Sequence, residues 1–350
     1  MRILSISKTD LNKNNIEKMN MIESFSSEHK VAIRKNWNLP LIKFLSKREE
    51  KKLIYMGLPS PQAEDIKEWI EYLESIVAFQ CRNHKESSSP EQSREQVEIL
   101  EEFLRTLERQ NKINNYVVYD GFLEEVIIRG FDNSPQQIEF IVNNFIPLYN
   151  LDFCNKISSP IEFTDREGNL KTAYKFDAIK ELLSFQRKWS KTSNKFIFLL
   201  TVHGSFDGKE LEHFLNNPKT SENAELLKKY YQLSGIEKNE RIIKLFVVQY
   251  IKEQFESFGF TPNILPVIRY NGLGGTPLLH FAILGSMHDT KAGITEVYQS
   301  ISDIINCKFV NIDENGNFTN ATFCLDNEMD IVPDPISYLT QSKTFEKLWK

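Results

Sequence analysis

Phe145-Ile-Pro-Leu-Tyr-Asn-Leu-Asp152-Phe-Cys154 is an apolar run that ends in Asn-Leu-Asp. A loop carrying Ser158, Ser159 and Pro160 follows it. In an open α/β sheet this is the carboxyl end of a central strand, where ligands bind. The spacing predicts a strand over about Ile146–Leu151, with Asn150 and Asp152 projecting from the same side.

Working outward, comparable strands are predicted at Lys52–Met56, Ser75–Cys81, Tyr116–Tyr119 and Lys195–Gly204. Helical spacing separates them. Ile66, Trp69, Ile70 and Leu73 recur on one side of Pro61–Glu74. Ser89 followed by Pro90 predicts a helix start, and the helix runs to about Gln110. Further helices are expected at Phe122–Ile128, Pro135–Val142 and in KFDAIKELLSFQRKW. The strands are apolar almost throughout, as in a mostly parallel sheet covered on both faces. The fold class is therefore α/β, a doubly wound, mostly parallel sheet.

Beyond Gly204 the pattern changes. Residues 207–258 read as mostly helical. Strands at Ile264–Tyr270 and Pro277–Leu284 flank the glycines of NGLGGT, which suggest a late antiparallel hairpin. A helix near Lys291–Ile305, a small hairpin around Glu314-Asn-Gly316 and a helix over Pro335–Trp349 complete the chain. Three divisions follow: an N-terminal arm over 1–30, an α/β domain over 31–290 with a helical insertion near 207–258, and a C-terminal extension over 291–350.

Composition narrows the class of function. The chain has 350 residues and a net charge of -5, with 41% hydrophobic and 26% charged residues. An overall acidic chain is not the usual nucleic-acid binder, although a local basic patch can hide in that total. No apolar run reaches the eighteen residues of a membrane span. The first twenty residues lack the apolar core of a signal peptide. Four cysteines in no metal or redox spacing fit a reducing cytoplasm. The histidines form no metal-binding pattern, so no metal is expected.

The candidate site lies at the strand ends. Gly57 begins the turn after the first strand, where close approach to a cofactor or plain turn formation would select glycine. Gln80 ends the second strand and can hydrogen-bond a hydroxyl without charge. Asp120 ends the third, as an acceptor or a helix cap. Asp152 and Asn150 belong to the fourth. His203 ends the fifth and is the histidine placed for acid or base chemistry. Cys154 lacks a basic neighbour and is expected to be a pocket wall.

Two stretches, LIYMGLPSPQAEDIKEWIEYLESIVAFQC and LYNLDFC, resemble a class I S-adenosylmethionine (SAM)-dependent methyltransferase core. The likeness covers about residues 50–285. YNGLGGTPLLHFAILGS is similar to the final hairpin of the partner proteins found beside three-cysteine-motif proteins in bacteria. The resemblance implies SAM as cofactor. Gly57 matches the cofactor loop, Gln80 the ribose acid, Asp120 the residue near adenine, and Asp152 the fourth-strand motif near methionine and substrate. The loop keeps one glycine of the family pattern, and the ribose acid is replaced by glutamine. Two functions follow. One is methyl transfer to a nucleic acid or other macromolecule, with Asp152 orienting and His203 as base. The other is an inactive Rossmann-like interaction subunit with a protein partner in a bacterial or phage-defence complex.

Overall fold

The computed structural model describes residues 27–80, 90–153, 156–191, 194–206, 224–272, 275–287, 301–321 and 328–341. The chain enters through helix α1 (Glu28–Ala32), a π-helical turn (Ile33–Asn38) and α2 (Leu39–Glu49). Then come β1 (Leu53–Gly57), α3 (Glu64–Trp69), β2 (Leu73–Gln80), α4 (Pro90–Arg109), β3 (Asn115–Asp120), α5 (Leu123–Arg129) and β4 (Leu148–Asp152). A separate hairpin, β5 (Ile161–Thr164) and β6 (Leu170–Ala173), leads into α6 (Lys175–Trp189) and β7 (Lys195–His203). The rest comprises α7 (Ala224–Tyr231), α8 (Gly235–Ser257), β8 (Phe260–Ile264), β9 (Ile268–Asn271), β10 (Pro277–Met287), α9 (Ile301–Ile305), β11 (Val310–Ile312), β12 (Phe318–Asn320) and α10 (Pro335–Gln341).

The sheet order is β12-β11-β9-β10-β7-β4-β1-β2-β3, with β8 also paired to β10. Strands β3, β2, β1, β4 and β7 are parallel neighbours. Strand β10 runs against β7, and β8 and β9 both run against β10. Thus β10 is reversed between β7 and the β8 and β9 strands, and β12 is reversed against β11 at the far edge. Strands β8 and β9 pair with successive halves of β10 and act as one interrupted strand. Pro266 lies in the interruption, where it cannot donate to a ladder. The single strand expected over Ile264–Tyr270 is therefore two.

Both faces are covered, as the unbroken apolar strands require. One core packs Tyr149, Phe196 and Phe198 against Phe255 and Phe260. This cluster accounts for part of the high phenylalanine content. The other core sets Tyr55, Leu73 and Ile76 against Trp37, Leu41, Ile66 and Trp69. Gln186 ties α6 to the start of β4. Its amide bonds both Ile146 backbone groups, at 3.1 and 2.8 Å, and accepts the Tyr149 hydroxyl at 3.0 Å.

Three further local expectations fail. The helix expected over Pro61–Glu74 covers Glu64–Trp69 and passes through a 3-10 turn at Ile70–Tyr72 into β2, because Leu73 is taken up by pairing opposite Leu53 on β1. No helix forms over Pro135–Val142. The Asp132 carboxylate instead accepts from the Ser134 and Ile138 amides and closes an irregular turn, with a bridge between Phe131 and Glu139. Asp in this position favours a turn over a helix. The loop after β4 also contains the β5–β6 hairpin, turned at Gly168 with φ of 84°. Ile16–Phe25, Ser89, Cys81, Cys154, Cys324 and the part of the expected helix before Ile301 lie outside the described residues. Among the described residues no helix is long and apolar enough to cross a membrane.

Candidate functional site

The sheet changes direction of winding between β1 and β4, and the crevice outside their carboxyl ends is where such folds bind ligands. Gly57 faces Asn150 across this boundary. The Leu58 amide donates to the Asn150 carbonyl at 2.9 Å. A Cβ on Gly57 would stand 2.3 Å from that carbonyl oxygen and 2.7 Å from the Tyr55 hydroxyl. The glycine is thus demanded by the protein's own close packing.

The turn then passes Pro59 and Pro61. It reaches Ala63 at φ 51°, whose amide bonds the Ser60 carbonyl at 2.7 Å. This launches α3 and buries Asp65 in its first turn, where negative charge is favoured. Tyr55 donates to Asp65 Oδ2 at 2.6 Å, and Asn150 Nδ2 donates to the same oxygen at 2.7 Å. Asp65 Oδ1 is buried and has no hydrogen-bond partner. Burial pushes the Asp65 carboxyl up from its ordinary value, against the pull of the two side-chain donors and the Ile66 amide. The Tyr55 hydroxyl is also raised, by burial and then by the Asp65 charge.

A second network closes the other side. His280 on β10 lies directly opposite Thr201 on β7. Its Nδ1 is 2.9 Å from Thr201 Oγ1, and its Nε2 is 2.9 Å from Asn38 Oδ1. The Asn38 carbonyl oxygen can only accept, so Nε2 carries the proton and Nδ1 accepts from Thr201. Tyr270 bonds Thr201 in turn. Burial holds His280 down at about 4, so the ring is neutral at pH 7.

The roof is the helix before β1. Pro40 cannot donate to the carbonyl four residues back, and the π-helical turn lies just ahead of it. That turn buries Trp37 and Asn38 against the sheet. Lys30, read with the N-terminal arm, sits in α1 and pairs with Asp152 at 2.6 Å. Trp69 Nε1 donates to the Arg34 carbonyl at 3.2 Å, tying the roof to α3.

Between roof and strand ends is a cavity of about 130 Å³, comparable with one that holds a single benzene ring. Gln80, Asn150 and Asp152 line it; Gly57 does not, although the next residue, Leu58, does. Asp120 and His203 end strands at the same sheet edge without lining it. Asp120 belongs to the outermost parallel strand, beside Gln80. His203 lies two residues past Thr201. Lys30, Arg34, Asp65, Thr201, Tyr270 and His280 line it too, and none of them is among the candidates that the sequence offers. Asp65 and His280 carried a weak signal, as polar residues inside apolar periodic stretches. Among the described residues no cluster of three metal-ligating side chains occurs.

No protein-family model matches the chain, and no curated protein matches its sequence. Solved structures do. An O-methyltransferase from Bacillus cereus, in complex with SAH, is 10% identical and has a TM-score of 0.34, over 80% of this chain and 93% of that one. An rRNA methylase from Streptococcus thermophilus is 10% identical at a TM-score of 0.30, over 71% and 94%. A precorrin-6y C5,15-methyltransferase from Geobacter metallireducens is 9% identical at 0.30, over 70% and 86%. The fold of this chain, read from its own strands, is a mostly parallel central α/β sheet with late antiparallel strands.

Proposed function

We propose that this chain is a methyltransferase-like protein that binds SAM over the ends of β1, β2 and β4 and acts on a macromolecule. One observation carries the reading: the cavity opens at the switch point of a parallel series that ends in a reversed strand. The carboxylate acceptors suit the amine end of that cofactor: the cavity of about 130 Å³ would take that end alone, with the rest of the molecule in the crevice over the strand ends. Asp65 offers a buried carboxylate oxygen with no partner, and Asp152 a second carboxylate at the rim. Gln80 would meet ribose hydroxyls through an amide, with weaker bonds than a carboxylate forms.

When bound, SAM supplies an electrophilic methyl group. The residues here would hold and align, which is most of what methyl transfer needs. Asn150 fixes Asp65, and Asp152 orients the cofactor's amino end or the acceptor. His280, neutral and held at both nitrogens, keeps the roof against the sheet. His203 at the end of β7 is the candidate base.

Calorimetric titration with SAM and its demethylated product tests this, alongside Asp152→Ala. Saturable binding that the substitution weakens is expected. Absence of binding at millimolar ligand overturns the reading.

A further inference from the structure

The roof helix has a charge pattern opposite to that of the chain. Residues 28–52 hold eight Lys or Arg and three Glu, in a protein with five more carboxylates than cations. Between Lys30 and Arg48 there is no acidic residue. The inner face of this helix is apolar, with Ile33, Trp37, Leu41, Ile42 and Leu45 buried. The outer face exposes Lys35, Lys43, Lys47 and Arg48, followed by Lys51 and Lys52. Glu68 approaches Lys35 at 3.8 Å, and Glu49 and Glu50 lie at the far end. At that end Lys195 adds to the cluster. Burial, then the charge of Arg48, lowers its ammonium to about 8.

This stripe begins at the cavity. Lys30 and Arg34 line the cavity from the same helix. From Lys30 to Arg48 the helix spans about 27 Å, the length of roughly eight phosphates along one strand of a B-form duplex. A polyanion would be repelled by the acidic remainder of the chain and drawn to this stripe, so the charge distribution would also orient it.

We propose that the outer face of the π-helical turn and α2 is a docking surface for a nucleic-acid backbone, which leads the acceptor to the cavity. This deepens the macromolecular-substrate reading above and rests on it for the purpose of docking. The binding itself needs no cofactor.

The test is fluorescence anisotropy of the full chain with labelled 20-nucleotide RNA and DNA, single- and double-stranded, from 50 to 300 mM NaCl. Saturable binding to at least one of them is expected, with affinity falling steeply with salt. Each backbone contact on a single strand adds about 0.7 to the logarithmic salt slope. Lys43→Glu with Lys47→Glu should cut affinity at least tenfold at 100 mM NaCl and lower that slope by about 1.4. Lys171→Glu, on the exposed β5–β6 hairpin, should leave affinity within twofold.

Three results would overturn the proposal: no oligonucleotide binding at 50 mM NaCl, equal loss with the Lys171 control, or unchanged affinity in the double variant. Binding to phosphatidylserine vesicles but to no oligonucleotide would replace it with a membrane surface. SAM titration of the same preparations separates the two claims. Stripe-dependent oligonucleotide binding without SAM binding refutes the cofactor and leaves the surface. SAM binding without oligonucleotide binding does the reverse.

Discussion

Gly57→Ala gives the sharpest test of how the site is built. The added Cβ would lie 2.3 Å from the Asn150 carbonyl oxygen, about 1 Å inside an ordinary contact of 3.4 Å or more. The obstacle is backbone in the centre of a parallel sheet, so no rotamer change relieves it. Strand β1 must separate from β4, which weakens the Leu58–Asn150 hydrogen bond of 2.9 Å. Overpacking costs about 1–3 kcal/mol, and the lost bond about 1 kcal/mol. The expected loss is therefore about 2–4 kcal/mol, read from urea unfolding monitored by circular dichroism. Tyr55→Phe in the same chain removes the hydroxyl 2.7 Å from the new methyl and leaves the carbonyl. It should recover little. A loss below about 1 kcal/mol, or full rescue by Tyr55→Phe, would show that strand approach does not select this glycine.

Other consequences follow from the same contacts. His280 is depressed to about 4 by burial, against about 6.5 when unfolded. Its contribution is complete above pH 6.5 and lost as pH falls toward 4, roughly 3 kcal/mol in all. His280→Gln should flatten that part of the stability–pH profile, and an unchanged slope refutes the assignment. Gln186→Leu leaves the Ile146 backbone groups and the Tyr149 hydroxyl unbonded, at about 3–5 kcal/mol by denaturant unfolding; a loss below 1 kcal/mol contradicts that role. Lys30 and Asp152 are each partly exposed, at 26% and 33%. A double-mutant cycle should therefore give a coupling of only about 0.3–1 kcal/mol, and a value above 2 would mean the pair is shielded from water.

The sequence was legible where one segment alone determined the outcome. Strand β4 combines a continuous apolar run with a terminal Asn-Leu-Asp, so it could be placed before its neighbours were known. Helix α6 repeats its buried positions at Phe176, Ile179, Leu182, Leu183 and Gln186, and its bounds matched. The roof was not legible in this way. Ile33, Trp37, Leu41 and Leu45 do recur every four residues, but Pro40 and the polar Asn36 and Asn38 interrupt the stretch, and the π-helical turn that carries the chain through it has no signal of its own. The networks were hidden for a different reason. Asn150 lies 95 residues from Tyr55 and 85 from Asp65, and only parallel pairing of β1 with β4 brings it to them. His280 stands out weakly as a polar residue in an apolar strand, but its partner Thr201 is fixed only once β10 is reversed against β7.

The glycine count of the β1 turn can be understood in the same physical terms. The resemblance to methyltransferases implies several glycines, so that backbone can approach a ligand. Here the closest approach is internal, between Gly57, the Asn150 carbonyl and the Tyr55 hydroxyl. That demand needs one glycine. The rest of the turn has a different task, to set the direction of α3, and Pro59, Pro61 and the left-handed Ala63 can perform it. The outcome is a rigid turn that delivers Asp65 beneath the cavity. If the proposed cofactor binds here, a buried side chain rather than backbone amides would make its polar contact. Substituting Asp65 should consequently disturb this site more than adding glycines to its turn would improve it.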